Sequence, residues 1–171
     1  MDTISFDKLL IKTAFCCMAS DGHIDDQEIK IIKTMCRNSA LFNDFIFEEE
    51  INNLIAKINK DGIQFLSYYL DLLSNSTLTE KEEILLIDFA INTIKADDKI
   101  EYSEIKFFKN IRHRLSISND TILTFFPDFE DFLENDVVSI TKVENLTSDL
   151  INTTILPKFE FIVDTKENND Q

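Results

Sequence analysis

Displacing the 171-residue chain by 76 positions lays Ala14–Lys33 over Ala90–Lys109. Ala14 then meets Ala90, Asp21 meets Asp97, Ile24 meets Ile100 and Glu28 meets Glu104. Ile29, Lys30 and Lys33 likewise meet Ile105, Lys106 and Lys109, and Asp25 meets Glu101 with its charge kept. An internal repeat constrains the fold more than any local propensity, because both copies have to take one shape and bury their apolar faces together. The shared pattern is an apolar segment, an acidic turn holding one Ile expected to be buried, a Glu, and a second apolar segment.

Both apolar segments of each copy have helical period. Phe6, Leu9, Leu10, Thr13, Ala14 and Cys17 recur at three and four residues, as do Ile29, Ile32, Met35 and Cys36. In the second copy Leu86, Phe89, Ala90 and Ile94 lead into the turn, and Ile105, Phe108, Ile111 and Leu115 lead out. Each copy is therefore a helical hairpin. Between them, Phe47, Ile51, Leu54, Ile55 and Ile58 make a stripe ending at Lys60-Asp61-Gly62, a helix stop, and Phe65, Leu66, Tyr69, Leu70 and Leu73 make another. Thr79 and Glu82 have capping-box spacing. Ser118–Phe126 reads as a further helix closed by Pro127, followed by a short one over Phe129–Leu133. The expected fold is all-α, a bundle of about seven helices. Residues 1–135 form this domain, and 136–171 an acidic tail or extended arm, non-helical or disordered.

Composition removes several alternatives. With 2 Gly and 2 Pro the chain lacks turn residues for an all-β fold, and it has neither a GxGxxG nor a GxxxxGK phosphate loop. A net charge of −15 sets a repulsive field against nucleic acid and anionic membranes. Residues 128–171 carry 11 acids against 3 bases, so the acidity is concentrated towards the end. Cys16, Cys17 and Cys36 form no spaced disulfide or CxxC pattern, which fits small buried hydrophobes in a reducing cytoplasm. Charges at Asp2, Asp7, Lys8 and Lys12 break the first apolar stretch well before the ~20 residues of a membrane span.

The first turn, Asp21-Gly22-His23-Ile24-Asp25-Asp26-Gln27-Glu28, has the spacing of the second half of an EF-hand loop. The first two ligand positions of such a loop fall on Cys17 and Ala19, and in the second copy on Thr93 and Lys95, so neither turn is a complete calcium loop. The doubled Asp-Gly-x-Ile-Asp-x-x-Glu pattern, with LTEKEEILLIDFAINTIKADDKIEYSEIKFFKNIRHRLSIS as its second half, resembles the TerB-like tellurite-resistance family over roughly residues 6–134. The same domain type heads a J-domain co-chaperone. The resemblance implies an all-α bundle whose two acidic turns approach and bind a divalent cation. It implies a role in bacterial operons for tellurite and stress resistance and phage defence, beside membrane and calcium-binding partners, without enzymatic activity. Carried onto this chain, the implied metal set is Asp21, Asp25, Glu28, Asp97, Glu101 and Glu104, with Asp98 standing where the family usually has Gly. Carboxylate-only donors favour Ca²⁺, Mg²⁺ or Mn²⁺ over zinc.

A plainer reading stays open for the same residues. Asp25 and Glu28 have the spacing of a capping box, and Asp21 can serve only to shape its turn. Against that, eight carboxylates at one pole, Asp26 included, repel unless bridged, protonated or screened. Three functions follow: a cation-binding or sensing adaptor with a protein partner, a structural interaction domain whose acids only cap helices, and, weakest, a metal-dependent hydrolase. His23 reads as an exposed turn residue and His113 as a complement to a helix dipole. Most of the 15 Phe fall on the helical stripes as core residues, and the exception, Phe125, Phe126, Phe129 and Phe132 around Pro127, forms a bundle cap or a docking patch.

Overall fold

Helix α1 (Phe6–Ala19) is buried without a break from Leu9 to Ala19, the signature of a helix surrounded on all sides. Its one charged interior residue, Lys12, is 6 % exposed and reaches Glu50 at 3.1 Å. The computed structural model describes residues 4–24, 26–42, 47–96 and 99–133. After α1 come α2 (Asp26–Arg37), α3 (Phe47–Asp61), α4 (Ile63–Ser74), α5 (Glu80–Ile94), α6 (Tyr102–Arg112), α7 (Asn119–Phe125) and the short α8 (Glu130–Leu133). Single 3-10 turns lie at Ala40–Phe42 and Pro127–Phe129. The described residues are all-α, with seven main helices as expected. The tail expectation and the boundary at 135 concern residues outside the described ones.

The repeat is visible in the packing. Helix α2 starts at Asp26 and α6 at Tyr102, the same 76-residue displacement. The two first helices, α1 and α5, form the central pair, and each second helix also lies across the first helix of the other hairpin, α2 on α5 and α6 on α1. Leu10 and Leu86, Ile11 and Ile87, Ala14 and Ala90, and Ile32 and Phe108 are matched pairs with no exposed surface. Helix α4 packs on α1, α3 and α6. There the Tyr69 hydroxyl donates to Thr13 Oγ1 at 2.8 Å, which satisfies a phenol with no exposed surface.

Local chemistry sets the helix ends. The Glu82 carboxylate accepts from the Thr79 N–H at 2.8 Å, and the Glu82 N–H donates to Thr79 Oγ1 at 3.4 Å, completing the expected capping box. The Thr79 N–H also holds the Glu82 carboxyl below its ordinary pKa. Ser118 caps α7 by accepting from the Thr121 N–H. Gly62 separates α3 from α4 at φ +54°, a backbone that L side chains resist. Phe129 is fully buried, meets Phe108 edge-on at 5.3 Å and stacks on Phe132 at 4.1 Å. The aromatic cluster is thus a bundle cap, with Phe125 left 56 % exposed. No helix among the described residues is long and apolar enough to cross a membrane.

Candidate functional site

Both acidic turns begin in the same way. The Ser20 N–H donates to the Cys17 carbonyl at 3.2 Å, and the Ala96 N–H donates to the Thr93 carbonyl at 3.1 Å, at positions equivalent under the repeat. In the first turn the Gly22 N–H then closes on Ala19 O at 3.1 Å, with Gly22 buried at φ +85°. A side chain at that φ is strained, so glycine is required for the bend. Asp21 is exposed, and its Oδ1 accepts the His23 N–H at 2.7 Å, the turn-shaping role open to it from the sequence. His23 is exposed, as expected for a turn residue.

In the second turn the Glu104 carboxylate reaches back to accept the Glu101 N–H at 2.8 Å, the reciprocal half of a capping box. Lys99 pairs with the Glu101 carboxylate at 2.5 Å. Capping by acids at these positions is therefore realised in the second copy. Asp25, Asp97 and Asp98 lie outside the described residues.

The last turn of α1 and the first turn of α6 face each other: burial pushes up the Cys17 thiol pKa, and the nearby Glu104 carboxylate adds to the rise. Helix α6 packs on α1, and Cys17 and Glu104 stand beside the entrance to the first turn and the exit from the second. Glu28 and Glu104, equivalent under the repeat, are both buried, at 8 % and 4 % exposed. An acid one helical turn past the cap is thus buried in both copies. Among the described residues no group of three or more His, Cys, Asp and Glu side chains has metal-binding geometry. Asp21, Glu28, Glu101 and Glu104 thus do not converge as a ligand shell on their own.

Two expectations change, at Ile100 and His113, and one holds, at the cysteines. Ile100, read as buried, is 37 % exposed, whereas Ile24 packs against the core. His113 terminates α6 as its C-cap, but burial, then Arg112, Arg114 and Lys109, lower its pKa. A neutral imidazole adds little to a helix dipole. The cysteines are buried and unpaired, and desolvation raises all three thiols, Cys36 to about 12, so they are protonated and inert as nucleophiles.

Sequence reasoning missed Glu83. It lies 5 % exposed in the first turn of α5 and accepts the N–H groups of Ser116 at 2.9 Å and Ile117 at 2.7 Å. The carboxylate ties the loop after α6 to the start of α5, closing the second hairpin. Its sequence signature, a Glu near a helix start, is indistinguishable from a dipole-complementing acid. No protein-family model, curated protein or solved structure matches the chain.

Proposed function

We propose that the chain is a non-enzymatic, TerB-like adaptor that binds or senses a divalent cation through its two acidic turns and engages a protein partner, such as one held at a membrane, through another face. The observation that carries this reading is the packing of the first turn of α6 on the last turn of α1, with Glu104 in electrostatic contact with Cys17. In the proposed arrangement the two duplicated acidic loops lie near one another, in a chain that already carries −15. Close carboxylates repel, and a divalent ion relieves that repulsion directly. Asp21, Asp25, Glu28, Asp97, Asp98, Glu101 and Glu104 supply oxygen donors of the kind Ca²⁺, Mg²⁺ and Mn²⁺ prefer. A cytoplasmic place in a stress-resistance or phage-defence complex accords with the resemblance and with the three free thiols. The acidity argues against nucleic acid as partner.

A structural interaction domain is the competing reading, favoured by the Glu104 reach-back to Glu101 and by the Asp21 bond to His23. Thermal unfolding with Ca²⁺, Mg²⁺ or Mn²⁺ separates the two. An ion at ~100 times its dissociation constant adds about 2.7 kcal/mol of stability, which raises Tm by roughly 6–10 °C for a domain of this size. The Asp21→Ala/Asp97→Ala variant should lose the rise. Flat Tm values for both proteins at millimolar ion would leave the capping reading standing. Metal-dependent phosphodiester turnover that disappears in the same variant would instead establish a hydrolase.

A further inference from the structure

Phe125 ends α7 with 56 % of its surface exposed, and its ring centroid lies 6.5 Å from that of Phe126. Phe126, Phe132 and Leu133 are partly buried against the core, and Phe129, stacked on Phe132, has no exposed surface. Five large hydrophobic side chains are exposed among the described residues. Tyr68 and Tyr102 keep a hydroxyl for water, and Leu41 and Ile100 are smaller, so Phe125 presents the largest wholly apolar group to solvent. An apolar patch continuous with the aromatic cap is thus left open at Phe125.

The chain passes out of the described residues at Leu133, at the end of α8 and within this cap. From Phe125 to Leu133 it runs through a 3-10 turn and the single turn of α8, so at ~1.5–3.3 Å per residue the two lie within about 17 Å. Five extended residues span roughly 17 Å, which brings position 138 back to Phe125. The sequence at 137–143 is Val-Val-Ser-Ile-Thr-Lys-Val, free of acids in a stretch, 128–171, that holds 11 acids against 3 bases. Val138 and Ile140 stand two apart and so share one face of an extended chain.

We infer that residues 137–143 fold back over the cap and seat Val138 and Ile140 on Phe125, so that this chain covers its own exposed ring. A tether of about five residues holds the segment at millimolar effective concentration, well above a free partner of the same affinity. The cost of closing a loop grows with its length, so of the apolar stretches that follow α8 the nearest is favoured. A second copy docked cap to cap would set the exposed Asp128, Glu130 and Asp131 against their own equivalents, which repel. The acid-free segment, with Lys142, meets that rim with the opposite charge instead. The cover goes beyond the adaptor reading and needs no ion at the acidic turns.

The chain contains no Trp, so Phe125→Trp in the full chain gives a single fluorescent reporter at the site. Its quenching by acrylamide, measured in EDTA to keep cation binding apart, reads whether the ring is covered. Adding Val138→Asp/Ile140→Asp should raise the quenching constant roughly twofold, as the closed population opens. Ile155→Asp/Leu156→Asp, farther along the chain, should leave it unchanged, and so should dilution of the protein. Circular dichroism verifies the helical fold of each variant. A cycle without the reporter checks the same contact: Phe125→Ser and Val138→Ser/Ile140→Ser should lower Tm by less together than the sum of their separate effects. Unaltered quenching in the 138/140 variant, an equal rise in the 155/156 variant, or additive Tm changes would each overturn the inference. Quenching that weakens with protein concentration, in step with a doubling of mass by light scattering, would assign the cap to a second copy and overturn it as well.

Discussion

In the first hairpin Ile24 packs on the core and Asp26 opens α2, whereas in the second Ile100 is 37 % exposed and Tyr102 opens α6. Beneath these differences the buried positions correspond: Leu10 with Leu86, Ala14 with Ala90, Ile32 with Phe108, and Glu28 with Glu104. The turn-opening hydrogen bonds at Ser20 and Ala96 also correspond, to within a tenth of an ångström. Close packing resists change at a shared interface, since altering one methylene there is felt by both hairpins. Solvent-facing positions carry no such restraint and are free to acquire separate roles. The second copy also carries bracing that has no counterpart among the described residues of the first: the Glu83 clamp on the loop after α6, and Phe129 set against Phe108.

The strongest way to break this comparison is to truncate the matched core residues. Phe108→Ala removes a fully buried ring together with its edge contact to Phe129, and should cost about 4 kcal/mol in urea unfolding. Ile32→Ala removes a smaller side chain from the equivalent site and should cost about 3 kcal/mol. An equal or larger loss at Ile32 would mean that the aromatic cap contributes nothing beyond the shared core.

The clamp gives the next largest contrast. Glu83→Ala leaves the Ser116 and Ile117 N–H groups without their acceptor and should cost roughly 2–3 kcal/mol. Its repeat equivalent, Asp7, lies half-buried in the first turn of α1, where helix-dipole stabilisation is worth only ~0.5 kcal/mol. A loss at Asp7→Ala as large as that at Glu83→Ala would show that the first hairpin has an equivalent clamp.

The difference between the copies also explains what could be read from the chain. Helical periods, the repeat, the Thr79–Glu82 capping box and the Gly62 stop are local signals, because each depends on residues within a turn or two of one another. Whether Ile100 is covered depends on which element passes over it, and nothing within four residues of Ile100 records that. Glu83 was illegible for the same reason, since its partners lie 33 and 34 residues away. Of the candidate site, the turn-shaping role of Asp21 was legible from its position, whereas capping was read at Asp25 and Glu28 and is seen at their repeat equivalents Glu101 and Glu104. The burial of Glu28 and Glu104 came only with the cross-packing of the hairpins.

The smallest expected effect concerns pH, and it separates the copies at one position. The first copy has Arg37 where the second has His113, whose imidazole titrates near physiological pH. Burial lowers the folded pKa of His113, and Arg112, Arg114 and Lys109 lower it further below 6.5. The unfolded imidazole takes up its proton first as pH falls, so protonation there favours unfolding. The stability is complete above about pH 6.5, declines as pH drops through the folded pKa, and is flat below it. Because desolvation of His113 is only partial and much of the side chain still meets solvent, screening holds the effect to a few tenths of a kcal/mol. It should be read as the difference in urea midpoint between the natural chain and His113→Asn at about pH 7.5 and about pH 5.5, so that carboxylate titrations cancel. An NMR titration placing the His113 pKa at or above that of a free imidazole would reverse the sign and remove the proposed contrast with Arg37.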